Sequence, residues 1–304
     1  MPRITVLLPV HNAASFLKPC LESLSNQSFT DFRVLVLDDE SQDETTRVVA
    51  RHREMDRRFE LISFPKSGLV KVLNAGLDIT DAEFIARMDA DDICSARRFE
   101  LQLQYLEEFD LQVVGSDIVK FGCDQAEQRV QYPRRPAQSF AHALLEPPVA
   151  HGAVLARSLQ FQESRYDDSF KDAEDFDLWQ RMLVQGIRLG SVPQALVGYR
   201  IHTKQVSSVH SGVQLEGAKR VRWRHLAPLK RAPESVLQAL ERACLHAGFE
   251  VSDADRSYFV RVLRKLGLLS IRSTAGSLRR PGVLANFLAQ SIDRKRRKRM
   301  VALV

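Results

Sequence analysis

Short apolar runs alternate with helical patterns of apolar residues through the first 120 residues of this 304-residue chain. The apolar runs predict buried strands at residues 4–10, 32–37, 59–64 and 83–86. Between them, helices are predicted over about residues 43–57 and, after the turn at residues 65–68, through Asn74. The connections are too long for hairpins, so the pattern indicates right-handed βαβ units and a parallel sheet.

The helix after the first strand has two features that bear on where it starts. Asn12 stands just before its apolar positions, which include Phe16 and Leu17, and could cap the helix. Pro19 falls inside the same pattern, which indicates that the helix is either weakened in its middle or starts later.

The pattern is mixed between residues 111 and 202 and only helical after Val206. Strands are predicted at residues 113–119 and near Val154, and a helix over residues 176–185. We therefore expect an α/β fold with a mostly parallel, mixed sheet flanked by helices and followed by an α-helical C-terminal region.

Carboxylates follow two of the predicted strands. Asp38 and Asp39 end the second strand, and Asp89, Asp91 and Asp92 follow the fourth. The carboxyl ends of parallel strands form one edge of the sheet, and ligands bind there. Alternation along an extended backbone would place Asp89 and Asp91 on the same side, where a divalent cation could neutralise them. The alternative is a solvated acidic turn that caps the next helix.

Composition limits the class of protein. With 44% hydrophobic residues the chain can bury a large core, and no apolar run reaches the roughly 18–20 residues of a membrane helix. No secretory signal is evident, so we expect a cytoplasmic protein. The cysteines show no metal-binding spacing and are expected to be free thiols: Cys20, Cys94, Cys123 and Cys244.

The charge divides the chain near the point where the pattern changes. Residues 1–200 contain 23 Lys and Arg against 31 Asp and Glu, whereas residues 201–304 contain 21 against 7. The acidic part would need a cation to hold a polyphosphate, and the basic part would attract an anionic surface. We expect a first domain at residues 1–205, divided near residue 110, and a basic helical region at residues 206–304.

Glycine fingerprints for nucleotide binding are missing. The sequence contains neither G-x-G-x-x-G after the first strand nor G-x-x-x-x-G-K-[ST]. A dinucleotide-binding or P-loop enzyme is therefore not supported, and phosphates would have to be held through a metal ion.

Four motifs together resemble the family-two glycosyltransferases of the GT-A fold, over about residues 3–205. They are Pro9-Val10-His11-Asn12, Leu37-Asp38-Asp39-Glu40-Ser41-Gln42-Asp43-Glu44-Thr45, Asp89-Ala90-Asp91-Asp92 and Glu174-Asp175-Phe176-Asp177-Leu178-Trp179. The segment Tyr199-Arg200-Ile201-His202, with Gln205 and Ser207, resembles the end of that domain. Two departures flank the expected nucleotide pocket: Glu40 replaces the usual Gly or Asn, and Lys71 a smaller residue or Arg.

The resemblance implies an inverting enzyme that moves a sugar from a nucleoside diphosphate sugar, with UDP as first choice, to an acceptor hydroxyl. Residues 1–110 would bind the donor and residues 111–205 a glycan or lipid-linked acceptor, in surface polysaccharide or glycolipid synthesis. Mn²⁺ or Mg²⁺ would be the cofactor. The alternatives are a sugar nucleotidyltransferase, which would want a glycine-rich basic loop after the first strand, a non-catalytic nucleotide-sugar-binding scaffold, and a receiver-like signalling domain.

Donor-site roles follow from the same resemblance. Asp39 would accept from a base N–H or a sugar hydroxyl, unless it is only a helix cap before Thr45. The predicted metal ligands are Asp91, Asp92 and His202, although His202 could instead be a polar contact at the rim. The predicted nucleotide-binding residues are Pro9, Asn12, Asp38, Asp39, Asn74, Asp89 and Asp91.

The resemblance places the general base at Asp175, with Glu174 as its rival. Neighbouring acids would raise the proton affinity of this position, although acids also favour a helix N-terminus for structural reasons. Arg200 could offer charge to the phosphate or pair with an acid, and His151 is either a satisfied loop histidine or faces the acceptor. Trp179 is expected in the core.

An apolar stripe from Leu284 to Ile292 runs into a basic stretch at residues 294–299. This tail could lie on an anionic membrane surface at the inner face of the cell membrane. The alternatives are a solvated terminus and a helix docked on the domain. No aromatic residues interleave with the charges, so nucleic acid is not expected as a partner.

Overall fold

The computed structural model describes residues 1–122, 126–170, 173–202, 216–218, 220–221 and 236–265. These residues form a nine-stranded mixed sheet with helices on both faces. The α/β fold predicted from the sequence is confirmed, and the strands at Ile4–Val10 and Phe59–Phe64 have the predicted bounds.

The first half of the described chain contains β1 (Ile4–Val10), α1 (Ala14–Ser25), β2 (Phe32–Asp39), α2 (Thr45–Met55), β3 (Phe59–Phe64), α3 (Leu69–Asp78) and β4 (Phe84–Arg87). Next come β5 (Ile93–Cys94), α4 (Arg98–Glu108), β6 (Val113–Phe121), β7 (Gln128–Val130), α5 (Pro136–His142), β8 (Leu155–Arg157), α6 (Ser158–Ser164), α7 (Glu174–Val184) and β9 (Leu189–Arg200). Two further helices are α8 (Val236–His246) and α9 (Asp253–Lys265).

The strand order is β3-β2-β1-β4-β8-β6-β9-β5, and β7 pairs with β6. The first four strands are parallel, as their βαβ connections require. Strand β8 is antiparallel to both β4 and β6, whereas β9 is parallel to β6 and antiparallel to β5. The carboxyl ends of β1, β2 and β4 therefore meet at one edge, which is also where β9 ends.

Alternate residues of β1 supply two hydrophobic cores. Val6 and Leu8 pack into the cluster that contains α1 and α4, whereas Leu7 packs into the cluster that contains α3, α5 and α7. The second cluster also includes apolar residues of α8 and α9. Those helices are tied to α5, where the His142 Nδ1 and Tyr258 hydroxyl are 2.7 Å apart.

Several local predictions are corrected. Helix α1 runs from Ala14 straight through Pro19, with Ala13 as its N-cap residue, so Asn12 does not cap it. Helix α7 begins at Glu174, two residues earlier than expected, and α4 was not predicted. Trp179 is fully buried, as expected. None of the described helices is long and apolar enough to cross a membrane.

Candidate active site

Asp38 and Asp39 are buried at the end of β2. Asp39 Oδ1 accepts from the amides of Ser67 and Gly68 at 2.7 and 3.2 Å, and its Oδ2 is 2.9 Å from Lys66 Nζ. Burial opposes ionisation, but these donors prevail and hold the pKa of Asp39 below its ordinary value. Asp39 therefore binds the loop before α3 as a carboxylate.

The alternative role of Asp39, as a cap before Thr45, is wrong. Asp43 has that role, because its Oδ1 accepts from the Thr45 amide at 3.0 Å. The other oxygen of Asp43 accepts from the amide of Ala14 at 3.1 Å, at the start of α1. The loops after β1 and β2 are therefore joined through one carboxylate.

Asn12 makes a second connection between these loops. Its side-chain Oδ1 accepts a hydrogen bond from the Gln42 backbone amide at 2.8 Å, and its backbone amide donates to Ser41 Oγ at 3.0 Å. Asn12 and Glu40 both have left-handed backbones, with φ of 51° and 59°. The usual Gly or Asn at the Glu40 position suits that conformation, so the departure noted in the sequence adds backbone strain.

The acidic turn at residues 89–92 gives Asp89 and Asp91 different partners. Strand β4 ends at Arg87, and a turn follows in which the Asp92 amide donates to the Asp89 carbonyl oxygen at 3.3 Å. Asp89 forms an ion pair with Arg87, whereas Asp91 Oδ2 lies 2.9 Å from His202 Nε2. The expected common side for Asp89 and Asp91 is wrong because the chain is no longer extended there.

Asp92 and Arg200 join this turn to the end of β9. The Arg200 amide donates to Asp92 Oδ1 at 2.8 Å, and its Nε donates to the Asp91 carbonyl oxygen at 2.7 Å. Asp92 is 1% exposed, and burial together with the charges of Asp89 and Asp91 raises its pKa to about 9. Arg200 therefore binds the acidic turn itself.

The residues present fit a divalent cation at Asp91 and His202. A carboxylate oxygen and an imidazole nitrogen face each other at 2.9 Å, and both side chains retain some exposure. Such donors suit Mn²⁺, and Mg²⁺ commonly takes only one or two protein carboxylates with phosphate oxygens and water. Within the described part of the chain, no group of three or more potential ligand side chains could hold a metal by itself.

The predicted base lies in the first turn of α7. Asp175 is half-buried, and its Oδ1 accepts from the Phe176 amide at 2.7 Å. Burial raises the pKa of Asp175, and the charge of Asp89 acts in the same direction, while the Phe176 amide and Arg87 oppose them. Glu174 is more deeply buried, at 8% exposed. Asp175 is therefore the more accessible of the two carboxylates.

Arg87 and Tyr166 are buried beside the half-buried His151, and neither of the first two was indicated as functional by the sequence. Arg87 is 3% exposed beside Asp89, and the Tyr166 hydroxyl is 2.7 Å from His151 Nε2. Asn74 donates to the Tyr166 carbonyl oxygen at 2.9 Å and accepts from its amide at 3.0 Å. The amide group of Asn74 thus fixes the segment before α7, and the His151 ring has a hydrogen-bond partner in Tyr166.

Other predicted residues are placed as follows. Pro9 is half-buried in β1, paired with Leu37, and Lys71 is exposed on α3. Cys20, Cys94 and Cys244 are free thiols. Cys123, Gln205, Ser207 and the basic tail after Leu284 lie outside the described residues.

A cavity of about 350 Å³ lies at the opposite end of β9 from His202. Its arginines already bind protein groups: Arg134 binds Asp117, and Arg188 donates to the carbonyl oxygen of Asp110. No predicted site residue lines it.

The parallel half, whose strands end in carboxylates, and the mixed half together form a fold of the GT-A type. The model of the family described as glycosyl transferase family 2 matches residues 5–164, and the chain belongs to that family.

Proteins of similar sequence agree with this assignment. An uncharacterized glycosyltransferase of Haemophilus influenzae is 28% identical, with the match covering 73% of this chain and 72% of the relative. The O-antigen biosynthesis glycosyltransferase WbnJ of Escherichia coli is 27% identical over 66% of this chain and 80% of its own length.

Two solved structures share the fold. S. aureus TarS in complex with UDP-GlcNAc has 18% identity and a TM-score of 0.65, covering 96% of this chain and 88% of that one. The mannosyltransferase PcManGT of Pyrobaculum calidifontis, in complex with GDP-Man and Mn²⁺, has 17% identity and a TM-score of 0.58, covering 96% and 80%.

Proposed function

We propose that this glycosyltransferase moves a sugar, with inversion, from a nucleoside diphosphate sugar to a hydroxyl of a glycan or lipid-linked acceptor. UDP is the first choice of nucleotide, as in the TarS complex with UDP-GlcNAc. Relatives named for O-antigen and amylovoran biosynthesis support a role in surface polysaccharide synthesis. The supporting observation is that the acidic turn meets the end of β9, with Asp91 Oδ2 2.9 Å from His202 Nε2.

The nucleoside would lie between the loops after β1 and β2, at Pro9, Asn12, Asp38 and Asp39. Asp39 is ionised, so it can accept from a base N–H or a ribose hydroxyl beside its bonds to the loop before α3. We assign Asn74 a positioning role, because its amide group already binds Tyr166 at both atoms.

Asp91 and His202 would hold Mn²⁺ or Mg²⁺. A divalent cation held there supplies positive charge to the oxygens of the departing diphosphate. Asp92 Oδ1 would fix the end of β9 against the turn through the Arg200 amide, and its buried Oδ2, which has no hydrogen-bond partner among the described residues, would be available to the cation. Asp89 would orient the Arg87 side chain through their ion pair.

Asp175 would accept the proton of the acceptor hydroxyl as that oxygen attacks the sugar. A half-buried carboxylate with a raised pKa is a better base than an exposed one, and the Phe176 amide fixes its orientation. Glu174 would shape the same helix start.

The test compares Asp175→Asn with Asp168→Asn, an exposed acid six positions before Glu174 that serves as the matched control. Transfer should fall by about 10²–10⁴-fold in Asp175→Asn, while UDP binding and the Asp168→Asn control stay near wild type. Donor identity is read from a screen of nucleoside diphosphate sugars for Mn²⁺-dependent thermal stabilisation. Wild-type turnover in Asp175→Asn would eliminate this base.

We propose, from its charge, that the C-terminal part associates peripherally with anionic membrane. Residues 201–304 contain 21 Lys and Arg against 7 Asp and Glu, and each basic side chain near the surface contributes about 1 kcal/mol. Deleting residues 291–304 should reduce partition onto vesicles containing phosphatidylserine. Unchanged partition would refute the membrane role.

A further inference from the structure

Phe16, in the first turn of α1, lies against the side chain of His202 beyond the end of β9. The two rings are stacked, with 4.4 Å between their centroids and 29° between their planes. At the ring edge, His202 Nε2 is 2.9 Å from Asp91 Oδ2. The imidazole is therefore held on one face by an aromatic ring and at its edge by a carboxylate.

Arg200 contacts the same phenyl ring. Its guanidinium carbon lies 5.4 Å from the Phe16 centroid and 4.6 Å from the Phe121 centroid. The same side chain donates to the Asp91 carbonyl oxygen. Phe16 thus contacts both side chains that bind Asp91: it stacks on His202 and makes a cation–π contact with Arg200.

Phe16 also belongs to the segment that forms the proposed nucleoside side. Two residues earlier, the amide of Ala14 donates to Asp43, and Asn12 accepts from the Gln42 amide. One turn of α1 therefore connects the loops beside Asp39 with the Asp91–His202 pair.

We propose that Phe16 is a positioning residue whose ring fixes the His202 imidazole toward Asp91, so that the pair is arranged for a divalent cation before the cation binds. The proposal rests on the function proposed above, in which Asp91 and His202 hold the cation. Without the Phe16 ring, the His202 imidazole would have to be ordered when the cation binds. That ordering corresponds to about 3- to 10-fold in affinity for one side chain.

The experiment uses the full chain and titrates Mn²⁺ in excess UDP by calorimetry. Phe16→Leu keeps apolar volume at a half-buried position but removes the aromatic face, so the fold should persist, as checked by circular dichroism. Phe29→Leu is the matched control, because Phe29 is also half-buried against the core that contains α1. We expect Mn²⁺ to bind about 3- to 10-fold more weakly to Phe16→Leu, with Phe16→Tyr and Phe29→Leu within about twofold of wild type.

A second readout needs no metal. Stacking places the His202 ring protons in the ring current of Phe16, so their NMR resonances should move downfield in Phe16→Leu. Equal Mn²⁺ affinity in wild type and folded Phe16→Leu would overturn this proposal alone. Wild-type protein that binds UDP but no Mn²⁺ would overturn the metal role in the proposed function, and this proposal with it.

Discussion

Gly152 offers a direct perturbation of the acidic turn. It lies in the short 3₁₀ turn His151–Ala153, and a Cβ added to it would come 2.6 Å from Asp89 Oδ2 and 3.3 Å from Asp92 Oδ2. Asp89 cannot withdraw freely, because it is ion-paired with the buried Arg87. The φ of Gly152 is outside the left-handed region, so alanine is compatible with its backbone.

The magnitude follows from two opposing effects. Overpacking costs about 1–3 kcal/mol, whereas Gly→Ala at a compatible backbone position gains about 0.4–1 kcal/mol through the unfolded state. Gly152→Ala should therefore lower the free energy of unfolding by about 1–2 kcal/mol. In an Asp89→Ala background the closest clash is gone, so the same substitution should be close to neutral or stabilising by up to about 1 kcal/mol.

The assay is urea unfolding of wild type, both single variants and the double variant. The cycle isolates the coupling between Gly152 and Asp89 and cancels the cost of leaving Arg87 without its partner. We expect a coupling free energy of at least about 1 kcal/mol. An equal cost of Gly152→Ala in both backgrounds, or no cost in wild type, would refute the close approach of this turn to the carboxylates.

Three further predictions concern other parts of the chain. Glu40→Gly should raise the free energy of unfolding by about 0.5–1 kcal/mol by relieving a left-handed residue, whereas Glu44→Gly, at φ −72°, should lower it; urea unfolding distinguishes them. Burial would raise the pKa of Asp56, but donors led by Arg58 lower it to about 2, below the ordinary 3.8. The free energy of unfolding of wild type should therefore exceed that of Asp56→Asn by about 2 kcal/mol above pH 3.8, and this difference should be lost as the pH falls toward 2. A difference that does not change with pH would contradict this. Because burial raises the pKa of Asp175, the pH–rate profile for transfer should fall on its acidic side with a midpoint above 3.8, and a midpoint at or below that value would argue against this base.

The parallel half of the fold was predictable because its signals are local. Strands such as Ile4–Val10 are continuous apolar runs; Asp38 lies at the end of β2 and Asp91 in the turn after β4, and the carboxyl ends of these strands must share an edge. The order of the motifs then indicated the family without any knowledge of contacts.

The contacts within the site were not predictable because they join distant residues. Asp39 binds amides 28 and 29 positions later, and His202 meets Asp91 across 111 positions. Periodicity also misled where the backbone changed conformation, since alternation along a strand was extended to Asp91 beyond the end of β4. Phe16 gave only the signal of an apolar helical position, which does not distinguish packing in the core from stacking on an imidazole.

The most direct measurement is the anomalous diffraction of crystals grown with UDP and Mn²⁺. The account predicts one Mn²⁺ peak about 2.0–2.3 Å from both an Asp91 carboxylate oxygen and His202 Nε2, with diphosphate oxygens completing its coordination and Asp175 across the sugar position. A Mn²⁺ peak bound by other residues, or a diphosphate seated away from the end of β9, would contradict it.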